Sequence, residues 1–272
     1  MSSVSRDSSR LSGEHLRLLS EALTVEGVKY RYTPSGPWVL GGVDLSVRAG
    51  ERVAVMGPSG SGKSTLLLCA AGLLRAGMGR VSLDGVDIMA ASEKELTALR
   101  RDRLAFVFQD LNLVESLTAA QNVALPGLLG GRPRNDGEVA KALESVGLTG
   151  LEGRLPGRLS GGQRQRVAVA RALASHPAMV FADEPTGALD VRAGRAVLEQ
   201  LDLLAGAGAG LLVVTHDPRV AAWADRVVWL VDGQVSGQVT GADASQIAQR
   251  LAILQNEAEQ NGTASYADQV RP

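Results

Sequence analysis

Cysteine occurs once in the 272 residues, at Cys69, so no internal disulfide can form, and nothing near it has metal-ligand spacing; a reducing compartment is expected. Long apolar runs are also missing. The longest, 66–74, falls well short of the roughly 18 residues of a membrane span, so if the chain acts at a membrane, another chain crosses it. The first twenty residues are serine-rich without a sustained apolar segment, which argues against a secretory signal and for a cytoplasmic location. Charge of one sign is lacking too. A formal net charge of −1 gives no general attraction to nucleic acid or anionic lipid. No repeat of solenoid period is present.

Against these absences stands a hydrophobic content of 45%, enough to fill one substantial α/β domain. Residues Leu23 to Tyr32 and Val39 to Val47 read as strands, the second alternating Val43, Leu45 and Val47 against Asp44, Ser46 and Arg48. Unbroken apolar runs at Arg52 to Met56, Leu104 to Phe108, Met179 to Ala182, Leu211 to Thr215 and Arg226 to Leu230 fit strands buried on both faces of a largely parallel sheet. Helical patterns lie between them, as at Glu138 to Val146, where Val139, Leu143 and Val146 share a face; the alternation implies a layered α/β fold. Residues 110–158 read as a helical insert. From Gly241, one amphipathic helix (Ile247, Leu251, Leu254) precedes a polar stretch, Asn256 to Pro272, expected to be mobile at its end.

Gly57-Pro58-Ser59-Gly60-Ser61-Gly62-Lys63-Ser64-Thr65 comes directly after the strand Arg52 to Met56 and opens a helical run, the context a G-x-x-x-x-G-K-[ST] phosphate loop requires. Its glycines let backbone N–H groups face phosphate oxygens and the helix start adds a positive dipole end. Lys63 reaches the β and γ phosphates, and Ser64 can ligate Mg²⁺. None of the four lysines is preceded by an asparagine, so the Asn-Lys-x-Asp guanine-reading motif is absent and adenine is favoured.

Met179 to Glu184 is an apolar strand ending in two carboxylates. Asp183 suits the Mg²⁺ shell and Glu184 suits a general base beside an attacking water. His216 comes after another buried strand and so reaches the same sheet edge, where open α/β folds bind ligands; it can hydrogen-bond a γ-phosphate. A further anion site is formed at Leu159-Ser160-Gly161-Gly162-Gln163. There a hydroxyl, free backbone N–H groups and the dipole of the helical run Gln163 to Ala174 converge.

Together, in this order, these motifs resemble the nucleotide-binding subunit of an ABC transporter, from about Leu23 to Val239. The resemblance implies a P-loop NTPase core with a largely parallel sheet, an N-terminal antiparallel β subdomain and a helical subdomain between the glutamine loop and the signature. Residues 1–22 would form a flexible tail, 23–240 the ATP-binding domain and 241–272 a C-terminal helix and polar tail. It further implies ATP and Mg²⁺ as ligands, with Ser160, Gly161, Gly162 and Gln163 closing on the γ-phosphate held by the phosphate loop of a second subunit, so that two ATP are sandwiched in a head-to-tail dimer. Tyr32 matches the aromatic that stacks on adenine, with Tyr30 the competing candidate. Gln109 matches the glutamine that ligates Mg²⁺ and links the core to the helical insert. Asp190 matches the loop that crosses the dimer interface.

The variants Ala182-Asp183-Glu184-Pro185-Thr186-Gly187 and Gln121-Asn122-Val123-Ala124-Leu125-Pro126 are similar to the branch holding lipoprotein-release and macrolide or antimicrobial-peptide export ATPases. Gln121 stands where Glu is more usual. The expected partners are a second ATP-binding subunit and a membrane permease, with the chain peripheral on the inner face of the membrane and no nucleic acid bound. An importer ATPase and a soluble ABC ATPase outside transport are the alternatives.

Overall fold

Apolar residues in runs or in strict alternation set where strands form. The computed structural model describes residues 20–108, 112–131, 135–187 and 191–269. Gln109, Asp190 and the tail residues 1–19 lie outside the described residues. In chain order come β1 (Glu21–Tyr30), β2 (Leu40–Arg48), β3 (Arg52–Met56), α1 (Lys63–Ala70), β4 (Met78–Leu83), β5 (Val86–Asp87), α2 (Glu93–Arg103) and β6 (Leu104–Phe108). The helical insert is next, with α3 (Ala119–Leu129), α4 (Asp136–Ser145) and a short 3₁₀ turn at Pro156–Arg158. Last are α5 (Gly161–Ser175), β7 (Met179–Asp183), α6 (Val191–Gly206), β8 (Gly210–Val214), α7 (Pro218–Trp223), β9 (Arg226–Val231), β10 (Gln234–Thr240) and α8 (Ala244–Gln269).

An antiparallel sheet runs β2-β1-β4-β5, and a six-stranded sheet runs β10-β9-β3-β8-β7-β6. In the latter, β9, β3, β8, β7 and β6 are parallel and only β10 is antiparallel to its neighbour. β3 lies inside the sheet and the chain leaves it upward into the phosphate loop, so the loop is seated at the carboxyl edge that β7 and β8 also reach. All of β8 and the first four residues of β7 are buried, as expected of strands covered on both faces. Phe106 and Phe181 stack with centroids 5.6 Å apart across the β6–β7 pair.

The elements differ from the sequence expectation at a few ends. β1 stops at Tyr30, where Val39 donates to its carbonyl, and a turn around Pro34 and Gly36 carries Tyr32 out of the sheet. The helix after the phosphate loop ends at Ala70, before Gly72 at φ +66°. α6 runs to Gly206, leaving three residues before β8, and α8 continues to Gln269 through residues whose polarity hid the helix. β4, β5, α2 and β10 carry too few apolar residues, or too many glycines, to stand out.

Two arginines tie the layers together at the edge opposite the phosphate loop. Arg226 of β9 bonds Glu51 at 3.0 Å, Gln238 at 2.8 Å and the Ser46 carbonyl of β2 at 2.7 Å, joining the two sheets. Arg52 at the start of β3 grips Asp225 and Asp202 at 2.6 Å each and lies over the Trp223 ring, whose Nε1 donates to Asp202. Hydrogen bonds from Arg52 hold the Asp225 carboxyl below its usual range. A depressed carboxyl stabilises the fold above its unfolded value, about 3.9, and that contribution disappears as pH falls through the folded value. Both carboxylates are nearly half exposed, so the ion pairs contribute at most about 1 kcal/mol each. Arg52→Met is therefore expected to lower stability by about 1–2 kcal/mol at pH 7 in urea titrations, with a gap to the parent protein that narrows at pH 3; a gap independent of pH would contradict the assignment.

Candidate functional site

The phosphate loop takes its shape from two close approaches. A Cβ on Gly57 would lie 1.9 Å from the Leu230 carbonyl oxygen of β9, and one on Gly62 would lie 2.9 Å from that of Val39. Gly62, at φ +96°, caps α1 without a side-chain bond, leaving the first N–H groups of that helix directed at the loop. Ser59 and Gly60 are exposed at the mouth, as is Ser64, whereas Thr65 is buried below. Lys63 donates to the carbonyls of Gly57 at 3.0 Å and Pro58 at 2.7 Å. Burial pulls the Lys63 ammonium below its ordinary value, and Glu184 and Asp183 push it back up. The Ser61 hydroxyl is buried without a hydrogen-bond partner.

Across the sheet edge, Asp183 ends β7, paired in register with Val214 of β8 and Phe108 of β6. Glu184 is next, in the left-handed region at φ +48°, its N–H bonded to the Val214 carbonyl. Its carboxylate meets His216 Nδ1 at 2.7 Å and accepts from Thr215 Oγ1 at 3.3 Å. Thr215 is fully buried; the His216 side chain is 71% exposed and the Glu184 side chain 23%. The carboxylate is thus oriented by two partners while one side of the pair faces solvent.

Tyr32 and Tyr30 contact each other edge to face at 5.1 Å. Tyr32 is 64% exposed, and its hydroxyl lies 3.0 Å from Thr65 Oγ1, placing the ring beside the first turn of α1. Tyr30 instead packs partly buried against the core, so of the two candidates Tyr32 is the free surface. The signature residues form the start of α5. Ser160 is its N-cap in a capping box, with its hydroxyl accepting from Gln163 N–H at 3.3 Å and Gln163 Oε1 accepting from Ser160 N–H at 2.9 Å. That box holds the chain so that Ser160 and Gly161 stay exposed at the helix N-terminus.

The chain resembles known proteins in sequence and in fold. A family model described as ABC transporter matches residues 40–187, more than half of the chain. The chain belongs to the ABC transporter family. It is 46% identical over 211 residues to the macrolide export ATP-binding/permease protein MacB of Neisseria gonorrhoeae, covering 75% of this chain and 33% of that protein. Identity is 50% over 200 residues to the lipoprotein-releasing system ATP-binding protein LolD of Novosphingobium aromaticivorans, covering 72% of this chain and 88% of the relative. The fold matches a dimeric post-hydrolysis structure of the ATP-binding cassette MJ0796 bound to ADP and Pi, with TM-score 0.72 and 37% identity over 81% of this chain and 99% of that one. MJ0796 comes from Methanocaldococcus jannaschii. The chain thus spans about a third of the length of the MacB proteins it matches.

Within an ABC cassette, four side chains that sequence reasoning passed over complete the surroundings of the site. Thr215 orients Glu184. Asn122, fully buried, accepts from Val114 N–H and donates to the carbonyls of Val114, Leu117 and Thr118, holding the segment just before α3. Arg171 of α5 reaches the Asn112 carbonyl of that segment at 2.7 Å. Gln165, 3% exposed, donates from α5 to the Pro185 carbonyl beside Glu184. Gln121 likewise has a local duty: it is the third helical residue in a capping box with Thr118, where Gln serves as well as Glu.

The residues present fit a nucleoside triphosphate. A loop that tolerates no Cβ at Gly57, a buried hydroxyl without a partner and an ammonium turned onto the carbonyls of its own loop all match phosphate oxygens. Among the described residues no cluster of three or more His, Cys, Asp or Glu suits a metal. The Ser64 hydroxyl and the Asp183 carboxylate instead would suit Mg²⁺ that arrives with a nucleotide, phosphate oxygens and water completing its shell. Gly57→Ala is expected to abolish nucleotide binding measured by equilibrium dialysis, since the added carbon must displace β9 or the loop; binding within about three-fold of the parent protein, under about 1 kcal/mol, would contradict the close approach.

Proposed function

We propose that this chain binds Mg²⁺-ATP and hydrolyses it as one half of a head-to-tail pair, driving a separate membrane permease of the export or lipoprotein-release type from the inner face of the membrane. The observation that carries this reading is the Glu184 carboxylate, held by Thr215 and His216 on the sheet edge that also bears the phosphate loop and Asp183. MacB is named a macrolide export protein and LolD a lipoprotein-releasing system protein, which supports that branch. The dimer bound to ADP and Pi supports pairing and hydrolysis. No helix among the described residues is long and apolar enough to cross a membrane, in keeping with a separate spanning partner.

Lys63 would exchange the carbonyls of Gly57 and Pro58 for β- and γ-phosphate oxygens, and the loop N–H groups would hold the rest of the polyphosphate. Ser64, Asp183 and Gln109 would hold Mg²⁺, which would supply charge neutralisation to the polyphosphate when bound. Glu184 takes a proton from water as its oxygen attacks the γ-phosphorus; the bond to the β–γ bridging oxygen breaks and ADP leaves with its electrons. His216 offers its remaining ring nitrogen to the γ-phosphate. The N-terminus of α5 from the second subunit, with Ser160, Gly161 and Gly162, adds donors on the far side, and Asp190 lies in the segment that would cross the interface. ATP binding then closes the pair and hydrolysis reopens it, which does work only because the closed form binds ATP better.

A general base contributes typically ~10²–10⁴-fold. Glu184→Gln should lower ATP turnover by about that factor and keep ATP bound; unchanged hydrolysis would reject the role. Trapped with ATP and purified from solubilised membranes, the same variant should bring its permease with it, whereas recovery only as a soluble protein would remove the transporter reading. Stacking on an aromatic contributes about 1–3 kcal/mol per base. Tyr32→Ala is expected to raise the Kd for ATP about ten-fold and Tyr32→Phe to leave it near the parent value; equal affinity in both would dismiss Tyr32 as the adenine platform.

A further inference from the structure

Glu184 sits in a backbone conformation that a residue with a Cβ holds only when its surroundings restrain it. Three restraints are visible. Its N–H is bonded to the Val214 carbonyl of β8, and its carbonyl accepts from Gly187 N–H at 3.1 Å, closing a turn over Glu184-Pro185-Thr186-Gly187. The third comes from outside the sheet: Nε2 of Gln165 donates to the carbonyl of Pro185. Pro185 is buried and has no N–H of its own, and Gln165 is 3% exposed, so this bond joins two groups removed from water. Breaking it leaves a buried carbonyl without that donor and frees one side of the turn.

Gln165 belongs to α5, whose exposed N-terminus is the signature. We propose that Gln165 is a positioning residue for Glu184, tying the signature helix of each chain to that chain's own carboxylate; the inference rests on Glu184 being the base of the proposed reaction. A nucleotide on the second subunit that engages Ser160, Gly161 and Gly162 pulls on α5 at its start. The Gln165 bond, one turn further along the helix, passes that displacement to the Pro185–Thr186 peptide inside the turn that Glu184 opens. The carboxylate direction responds because the turn fixes the Cα–Cβ bond. Each ATP is thereby reported to the opposite chain's base, which couples the two hydrolysis events without contact between the two Glu184 side chains.

The test compares Gln165→Met, which keeps length and removes the donor, with Gln165→Glu in the full chain. Gln165→Met is expected to lower kcat about ten-fold, the scale of one buried hydrogen bond, and to bring the Hill coefficient for ATP towards one. KM for ATP, and ATP-driven dimerisation in the Glu184→Gln background, should stay within about two-fold, under about 0.5 kcal/mol. In Gln165→Glu an ionised carboxylate cannot donate to Pro185, but a protonated one can. Burial raises a carboxyl pKa, so the activity of this variant relative to the parent should recover from pH 8 to pH 6. A kcat for Gln165→Met near the parent value would overturn the proposal. So would a fall in kcat, dimerisation and Tm together with a rise in KM and a flat relative pH profile in Gln165→Glu, which is the pattern of a merely structural residue. Hydrolysis surviving in Glu184→Gln alone would remove the underlying function instead.

Discussion

Lys63, Asp183, Glu184, Thr215 and His216 all hang from the carboxyl edge of parallel strands, and that edge is accessible because β3 leaves the sheet beneath a loop whose first residue carries no Cβ. The Leu230 carbonyl occupies the space that any other residue at position 57 would need. The approach lets β9 support the loop from one side while β8 brings Thr215 and His216 to the other. β7 then needs only to lie beside β8 for Asp183 and Glu184 to arrive at the same level. Phosphate chemistry here depends on strand order more than on any one side chain.

The second constraint, under the proposed function, is that a helix N-terminus must stay free to accept an anion. In α5 the Ser160–Gln163 capping box satisfies one reciprocal pair of groups while Gly161 is exposed and Gly162 half-buried at the terminus. The same box recurs at the start of α3 with Thr118 and Gln121, where it organises the helical insert rather than a ligand. The two helices differ in their first residues after the cap. Two glycines bring no side chain between the α5 terminus and an approaching phosphate, whereas α3 begins with buried alanines.

Much of this was legible in the amino-acid order because phosphate loop, signature and acidic strand end are each local patterns, a few residues long, joined to a run of apolar residues. Strand existence was legible for the same reason. The features that sequence reading missed join distant residues. Gln165 and Pro185 are twenty positions apart, Thr215 and Glu184 thirty-one, Arg52 and Asp225 one hundred and seventy-three. No periodicity links such pairs. Tyr32 reads as a strand residue because its neighbours are strand-forming, and it leaves the sheet because the turn at Pro34 and Gly36 begins two residues earlier than composition suggests. β4, β5 and β10 stayed hidden because their pairing depends on neighbours already in place.

Completion of one chain's phosphate loop by the signature of another is the step on which the proposed function turns. Sedimentation of the Glu184→Gln chain with Mg²⁺-ATP measures it most directly. A shift from the 28.4 kDa monomer to a species of about twice that mass, absent with ADP and abolished by Ser160→Arg while ATP stays bound, is the result predicted. A chain that binds ATP, stays monomeric at all concentrations and is indifferent to Ser160→Arg would contradict it.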